Sequence, residues 1–157
     1  SGRLAPSAEH LATVAIRRFL EWVAETNTSG ASAPLAVTGT PSGQRHEFGA
    51  LLAGVIAGYE GWRVRFLGPE LPPGEIARAA QQLGATMVAL SAVHPRLDAA
   101  GVQDMIELRQ MLPSNVRLIV GGAAADPHRD RWQESGILNF DSLAAFRESL
   151  GVSTDAN

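Results

Sequence analysis

The stretch that decides the fold is PLAVTGTPSGQRHEFGALLAGVIAGY, residues 34–59. Its first six residues are a short apolar run, which predicts a buried strand. Residues 40–45 contain Pro, Ser and Gly and predict a loop. Apolar residues then recur at helical spacing, at Phe48, Leu51, Leu52, Val55, Ile56 and Tyr59. A strand, a loop and a helix in this order form the unit from which parallel α/β sheets are built.

The same unit recurs along the chain. Further strands are predicted at residues 63–67, 86–91 and 116–120 and near Ile137 and Leu138, with helices at 74–83, 98–111 and 141–150. The strands are apolar runs rather than alternations, so we expect them to be buried on both faces. The predicted fold class is α/β: a flavodoxin-like (Rossmann-like), doubly wound, parallel five-stranded sheet, preceded by one helix from a helical bundle.

The first 33 residues do not follow the strand–helix pattern. Residues 7–25 predict a helix, and the small polar residues that follow predict a linker. We divide the chain into an N-terminal helix at 1–27, a linker at 28–33, the sheet domain at 34–152 and a tail at 153–157. The helix carries an apolar band wider than one surface helix needs, formed by Leu11, Val14, Ile16, Phe19, Leu20, Trp22 and Val23. We expect this band to pack against a second copy or a partner protein.

Composition excludes several classes of function. The chain has 13 basic and 16 acidic residues and a formal net charge of −3, so it has no electrostatic reason to bind nucleic acid alone. Cysteine is absent and every basic residue is arginine, which excludes disulfides, thiolate metal sites and Schiff-base or P-loop lysines. No run reaches the roughly 18 apolar residues of a membrane span. We expect a cytoplasmic protein that does not contact membranes.

The loop after the first strand is the first candidate site, because ligands of doubly wound sheets bind beyond the carboxyl ends of the strands. It is not a P-loop, since Gln44 stands where lysine is needed. It offers the imidazole of His46, which suits a transition metal, and Gly49, which leaves room for a flat ligand. Gln44 or Glu47 could accept a hydrogen bond from the second ring nitrogen. Taken alone, such a histidine is more often simply solvated.

Three motifs, each after its expected strand, together resemble the B12-binding domain family. That family carries D-x-H-x-x-G, S-x-L and G-G, and this chain has Gln44 to Gly49, Ser91 to Val93 and Gly121-Gly122. The resemblance covers residues 34–150. It implies that cobalamin binds base-off, with His46 below the cobalt and the nucleotide tail between the serine and double-glycine loops. The candidate cofactor-binding residues are Ser42, Gly43, Gln44, Arg45, His46, Glu47, Phe48, Gly49, Ser91, Val93, Gly121 and Gly122.

Two further expectations follow from this resemblance. Replacing Gly122 with leucine should leave the fold intact and fill the space that the nucleotide tail of cobalamin needs. Gln44 replaces the family's aspartate, which should make His46 a weaker ligand, whereas Val93 in place of leucine is a mild change.

Residues 8–20 and the run Arg45 to Gly49 are similar to the light-sensing, cobalamin-dependent MerR-type transcriptional regulators. This resemblance implies that Glu9 and His10 face the upper axial ligand of adenosylcobalamin or methylcobalamin. His10 becomes a possible cobalt ligand after photolysis, which leaves hydroxocobalamin. The DNA-binding domain of those regulators is not in the sequence. We therefore expect a sensory domain rather than an enzyme, with no nucleic-acid binding by this chain alone.

Two other functions occur on a flavodoxin-like sheet. A corrinoid carrier domain of a methyltransferase, or the small subunit of a cobalamin-dependent mutase, shares the fold and His46, and it is the alternative. Such proteins normally have aspartate where Gln44 stands. A receiver domain is excluded, because it needs acidic residues after the first and third strands and a later lysine.

Overall fold

Five parallel strands form a single sheet in the computed structural model, which describes residues 13–20, 22–23 and 30–151. The strands are β1 (Leu35–Gly39), β2 (Arg63–Phe66), β3 (Met87–Ser91), β4 (Arg117–Gly121) and β5 (Leu138–Phe140). They lie in the order β2-β1-β3-β4-β5, and every neighbouring pair is parallel. The predicted flavodoxin-like sheet is thereby confirmed.

Burial along the strands follows their place in the sheet. Every residue of β1 and β3 is buried, as their continuous apolar runs predict. The expectation of burial on both faces is wrong for the edge strands. In β2, Arg63 and Arg65 alternate with half-buried residues, and β5 begins with the exposed Leu138. An edge strand has a neighbour on one side only, so its outward residues reach solvent.

Helices cover both faces of the sheet. They are α1 (Phe48–Tyr59), α2 (Pro73–Leu83), α3 (Ala99–Met111), α4 (Arg129–Glu134) and α5 (Leu143–Leu150), with a 3-10 turn at Asp126–His128. On one face Ile76, Met105 and Trp132 pack into a core with the strands. On the other face the core includes Ala57 and Phe146. Two apolar cores on opposite faces are what a doubly wound sheet requires.

Local sequence signals set the ends of several helices. Pro73 lies at the first turn of α2, and Gly84 ends that helix in the left-handed conformation, at φ 67°. The Asp98 carboxylate accepts a hydrogen bond from the Gly101 N–H at 2.8 Å and caps α3. The Ser142 hydroxyl accepts one from the Ala145 N–H at 3.1 Å and caps α5.

Residues 13–20 and 22–23 are helical and contact the sheet domain through an ion pair. Arg17 Nη1 lies 3.2 Å from Glu47 Oε1, which brings this helix beside the start of α1. On this helix the exposed fractions of Ile16, Phe19 and Trp22 are 51%, 60% and 60%. Glu9 and His10 lie outside the described residues, as do residues 28 and 29 of the predicted linker and all of the tail. Among the described residues, no helix is long and apolar enough to cross a membrane.

Candidate functional site

The strand order creates a crevice between the ends of β1 and β3. The chain leaves β1 toward β2 on one side, whereas β3 lies on the other side of β1. Loops that leave two neighbouring strands in opposite directions open a space beyond the carboxyl ends, where ligands of this fold class bind. The loop at residues 40–47 and the loop at residues 92–98 form the walls of this crevice.

Gln44 joins these two loops across the crevice. Its side chain is 2% exposed. Its Nε2 donates to the Pro95 carbonyl at 2.6 Å, and its Oε1 accepts from the Val93 N–H at 2.8 Å. The Thr40 hydroxyl donates to the Gln44 backbone carbonyl and fixes the turn that carries it. The sequence suggested that Gln44 could support the His46 ring, but in the structure both ends of its amide are bonded to the neighbouring loop.

His46 lies exposed at the mouth of the crevice, close to a second histidine. The centroids of the His46 and His94 rings are 6.0 Å apart, and the ring planes are inclined by 59°. His94 is also exposed. Sequence reasoning missed His94, although it follows Ser91-Ala92-Val93 and so lies at the end of a predicted strand. Two imidazoles therefore meet where one was expected.

The charged residues beside His46 are paired with other elements. Glu47, with 13% of its side chain exposed, binds Arg17, and its Oε2 is buried without a partner among the described residues. Arg45 Nε donates to Glu70 Oε1 at 3.3 Å, although its side chain is 83% exposed. The Ser42 hydroxyl donates to the Leu71 carbonyl at 3.4 Å. These contacts tie the first loop to the N-terminal helix and to the loop after β2.

Gly49 and Gly122 permit close approaches between elements. A Cβ on Gly49 would lie 2.2 Å from the Ser91 hydroxyl, so glycine lets α1 begin directly against the end of β3. Gly122 has φ +102°, and its Cβ would lie 2.4 Å from the Ala92 carbonyl oxygen. The expectation that leucine at 122 would leave the fold intact is therefore wrong, because that Cβ would collide with backbone.

A cavity of about 180 Å³ lies between the sheet, α1 and α5 at the carboxyl edge. It brings together five of the predicted binding residues: Gly49, Ser91, Val93, Gly121 and Gly122. The other predicted residues of the first loop, including Gly43 and Phe48, are not part of its lining. Sequence reasoning missed the remaining lining residues, Ala53, Ala89, Leu90, Ile119, Phe140, Asp141, Ser142, Leu143 and Phe146. The helical pattern of α5 was visible in the sequence, but the face it buries was not.

Among the described residues, two guanidinium groups have shifted pKa values, and both lie outside the cavity lining. Burial lowers the pKa of Arg117, whose guanidinium lies over the Trp62 ring. A hydrogen bond to the Glu60 carboxylate and the charge of that carboxylate raise the pKa of Arg147. Arginine titrates so far above neutrality that both groups stay charged.

A doubly wound sheet with imidazole at its switch point and an apolar cavity beside it defines a domain that binds a small molecule. The B12 binding domain family matches residues 12–141. The chain therefore belongs to the B12-binding domain family and is a cobalamin-binding domain.

Curated relatives include both regulators and a corrinoid protein. The chain is 33% identical over 129 residues to the HTH-type transcriptional repressor CarA of Myxococcus xanthus, covering 80% of the chain and 43% of CarA. Against CarH of the same organism the identity is 32% over 129 residues, covering 82% of the chain and 43% of CarH. Dimethylamine corrinoid protein 1 of Methanosarcina acetivorans is 31% identical over 91 residues, 57% of the chain and 42% of that protein. The expected resemblance to transcriptional regulators is confirmed, and the chain spans less than half of these relatives.

A solved structure shares the fold. The monomethylamine corrinoid protein of Methanosarcina barkeri superposes with a TM-score of 0.66 at 18% identity, covering 89% of the chain and 66% of that protein.

Proposed function

We propose that this domain is the sensory part of a transcriptional regulator and binds cobalamin base-off, with His46 as the lower axial ligand. The observation that carries the proposal is the placement of one exposed imidazole and one apolar cavity at the same edge of the sheet. Gly49 joins them, since it lines the cavity three residues after His46. A ligand with a metal at one end and an aromatic base at the other matches this arrangement.

The apolar lining of the cavity suits the aromatic base of the nucleotide tail. An apolar cavity of about 150 Å³ is large enough to bind benzene, and this cavity is about 180 Å³. Ala53, Ile119 and Phe146 give it apolar walls, and the Ser91 hydroxyl supplies a polar group at its rim. His46 contributes a single imidazole, which suits a metal whose other ligands come with it, as in a corrin.

The chain's own residues position the cofactor. His46 would hold the cobalt, Gln44 keeps the two crevice loops together, and the glycines leave the tail channel open. When bound, adenosylcobalamin or methylcobalamin supplies a cobalt–carbon bond that light breaks. The protein has no catalytic step to perform in this role.

The upper face belongs to the N-terminal helix in this proposal. Glu9 and His10 would cover the upper ligand, and His10 would approach the cobalt once light has removed that ligand and hydroxocobalamin remains. The Arg17–Glu47 ion pair supports it, because it places this helix next to the loop that carries His46. The exposed Ile16, Phe19 and Trp22 then form a surface for a second copy or a partner protein.

A regulatory role is favoured by the relatives whose names describe transcriptional repressors. The alternative is a corrinoid carrier for a methyltransferase, or a mutase subunit, and the similarity to a dimethylamine corrinoid protein supports it. The two roles differ in what removes the upper ligand. A sensor loses it to light, whereas a carrier gives it up in the dark to a methyl acceptor on a partner enzyme.

The test is the absorption spectrum of the protein loaded with adenosylcobalamin in the dark and then illuminated. We expect a base-off, histidine-ligated spectrum that changes on illumination. His46→Ala should bind more weakly than the wild type and give a water-ligated spectrum, whereas the exposed Arg96→Ala serves as control. An unchanged spectrum and affinity in His46→Ala would remove His46 from the site. If illumination altered neither spectrum nor elution volume, the sensory role would be wrong although cobalamin binding would stand.

A further inference from the structure

A histidine that binds a metal through one ring nitrogen normally donates its other N–H to an acceptor, which fixes the orientation of the ring. The structure offers three candidate acceptors near His46: Gln44, Glu47 and His94. They differ in whether their acceptor atoms are already used and whether the exposed His46 ring can reach them.

Gln44 is used elsewhere. Its Oε1 accepts from the Val93 N–H and its Nε2 donates to the Pro95 carbonyl, and the side chain is buried inside the crevice. Turning the amide toward the exposed His46 ring would break both hydrogen bonds and leave two loop backbone groups without their partner. Losing a hydrogen bond to a buried group costs about 1–3 kcal/mol, so this rearrangement is disfavoured.

Glu47 faces the N-terminal helix. Its Oε1 pairs with Arg17 at 3.2 Å, and its Oε2 is buried among described residues that offer it no donor. The His46 ring is exposed, whereas this carboxylate oxygen is buried. Glu47 is therefore the competing candidate, and the experiment must test it.

His94 remains, and its ring lies near that of His46, although the two rings are not hydrogen-bonded in the structure. With an N···N distance near 2.9 Å, two imidazoles joined by a direct hydrogen bond have centroids roughly 5 Å apart. The observed separation is 6.0 Å, and both rings are exposed and can turn. The two Gln44 hydrogen bonds go to Val93 and Pro95, the residues on either side of His94. Gln44 thus fixes the backbone that carries His94 and leaves only the ring to rotate.

We propose that His94 is the positioning residue of His46: it accepts a hydrogen bond from the ring N–H opposite the cobalt, and Gln44 holds it in place. This inference rests on the proposed function, since it assigns His46 to the metal. It adds a second imidazole to the lower side of the site and gives Gln44 a role in loop placement.

The first experiment needs no cofactor. Long-range 1H–15N spectra of the protein without cobalamin report the tautomer of the His46 ring. We expect one dominant tautomer in the wild type and a mixture in His94→Ala, whereas Arg96→Ala, an exposed change two residues away, should resemble the wild type. Identical His46 signals in the wild type and His94→Ala would overturn the proposal.

The second experiment uses hydroxocobalamin reduced to the cob(II)alamin state, whose electron paramagnetic resonance spectrum shows nitrogen splitting when histidine is the axial ligand. We expect His94→Ala to lose most of this splitting and to bind hydroxocobalamin about 10- to 100-fold more weakly. His94→Asn keeps an acceptor and should recover much of both signals. Urea unfolding midpoints of the His94 variants should stay within error of the wild type, because the side chain is exposed.

The outcomes separate this inference from the proposed function. If Glu47→Gln reproduces the loss and His94→Ala does not, Glu47 is the partner and the proposal is wrong. If the wild type binds cobalamin without nitrogen splitting, His46 is not the ligand and both proposals fall. If His94 controls the His46 tautomer but the protein binds no cobalamin, the contact between the two histidines stands and the proposed function fails.

Discussion

At the scale of single residues, glycines at the carboxyl edge of the sheet serve close packing as much as ligand access. Gly122 combines a positive φ with an approach to the Ala92 carbonyl that no side chain can share. The left-handed region alone costs an L-residue about 1–2 kcal/mol. Gly136 has a similar conformation, at φ +71°, with open space among the described residues where a Cβ would stand. Substitutions at these two glycines therefore separate the cost of backbone strain from the cost of steric collision.

We expect Gly122→Ala to lower the free energy of unfolding by roughly 2–4 kcal/mol, since strain and overpacking add. Gly136→Ala should lower it by only about 1 kcal/mol, because strain acts alone. Urea denaturation followed by circular dichroism measures both. Equal losses in the two variants would mean that the backbone at Gly122 moves away from Ala92 at little cost, and that the collision is unimportant.

The sequence predicted which loops the fold brings together at the carboxyl edge of the sheet, but it could not assign the partner of each side chain. The order of strand, loop and helix was enough to bring His46, Ser91 and the double glycine to one edge. Whether the Gln44 amide turns toward a neighbouring ring or across the crevice depends on where the loop after β3 lies. His94 was missed for the same reason, since 48 positions separate it from His46 and their proximity exists only in the folded chain.

At the scale of elements, the cavity is lined by residues of α1, of α5 and of the carboxyl edge of the sheet. Ala53 of α1 and Phe146 of α5 face it from two sides. A leucine at position 53 adds three carbon atoms to a cavity of about 180 Å³, on a helix that tolerates leucine well. Ala100 lies exposed on α3, and the same substitution there changes no cavity residue.

We expect Ala53→Leu to weaken hydroxocobalamin binding by at least about tenfold, because overlap with the tail costs more than the roughly 1.4 kcal/mol that tenfold represents. The cobalamin-free protein should be as stable as the wild type or more stable, since the side chain fills empty space. Ala100→Leu should alter neither quantity. Absorbance titration and urea unfolding provide the measurements. Normal affinity in Ala53→Leu would place the tail elsewhere.

The ion pair between the N-terminal helix and α1 is the second feature at this scale. The Arg17 side chain is 42% exposed and that of Glu47 is 13% exposed, so solvent screens the pair only in part. Sequence patterns predicted the helix but not its position, because a charge pair between separate segments has no local signature.

A double-mutant cycle of Arg17→Ala and Glu47→Gln should show a coupling of about 0.5–1 kcal/mol that decreases as salt is raised. In Arg17→Ala, amide hydrogens of residues 13–20 should exchange faster with solvent than in the wild type. Arg18→Ala, an exposed change on the same helix, should leave exchange unaltered. Zero coupling, or equal exchange in both variants, would show that the ion pair does not hold the helix.

At the scale of the whole molecule, the repeated order of strand and helix and the length of the apolar runs were sufficient to predict the sheet. The apolar runs of β1 and β3 identified strands at the centre, and the order of units identified a parallel sheet. The edge strands departed from this pattern, because the burial of a strand depends on how many neighbouring strands it has. Arg63 and Arg65 of the edge strand β2 are exposed for this reason. The cavity could not be predicted, since it depends on the distance between two helices that are far apart in the chain.

Charge is the other property of the whole molecule, and it leads to the last prediction. The chain carries 13 arginines against 16 acidic residues. Among the described residues, five arginines pair with carboxylates, at positions 17, 45, 78, 129 and 147. Three more donate to backbone carbonyls, at positions 63, 109 and 117. The excess of acidic residues and these carboxylate pairs weaken the attraction to phosphates, which supply most of the affinity of proteins for DNA.

We therefore expect this chain alone to bind a 30-base-pair duplex more weakly than about 10⁻⁴ M at physiological salt, the weak limit of ordinary non-specific binding. Fluorescence anisotropy in the dark and after illumination, with and without adenosylcobalamin, measures the affinity. Selection from a pool of random duplexes tests specificity, and no motif should be enriched, because the chain has a net negative charge of −3. The same selection on a DNA-binding protein of known motif provides the control. Enrichment of one motif, with affinity that falls steeply as salt rises, would show that this chain contains a DNA-reading surface of its own.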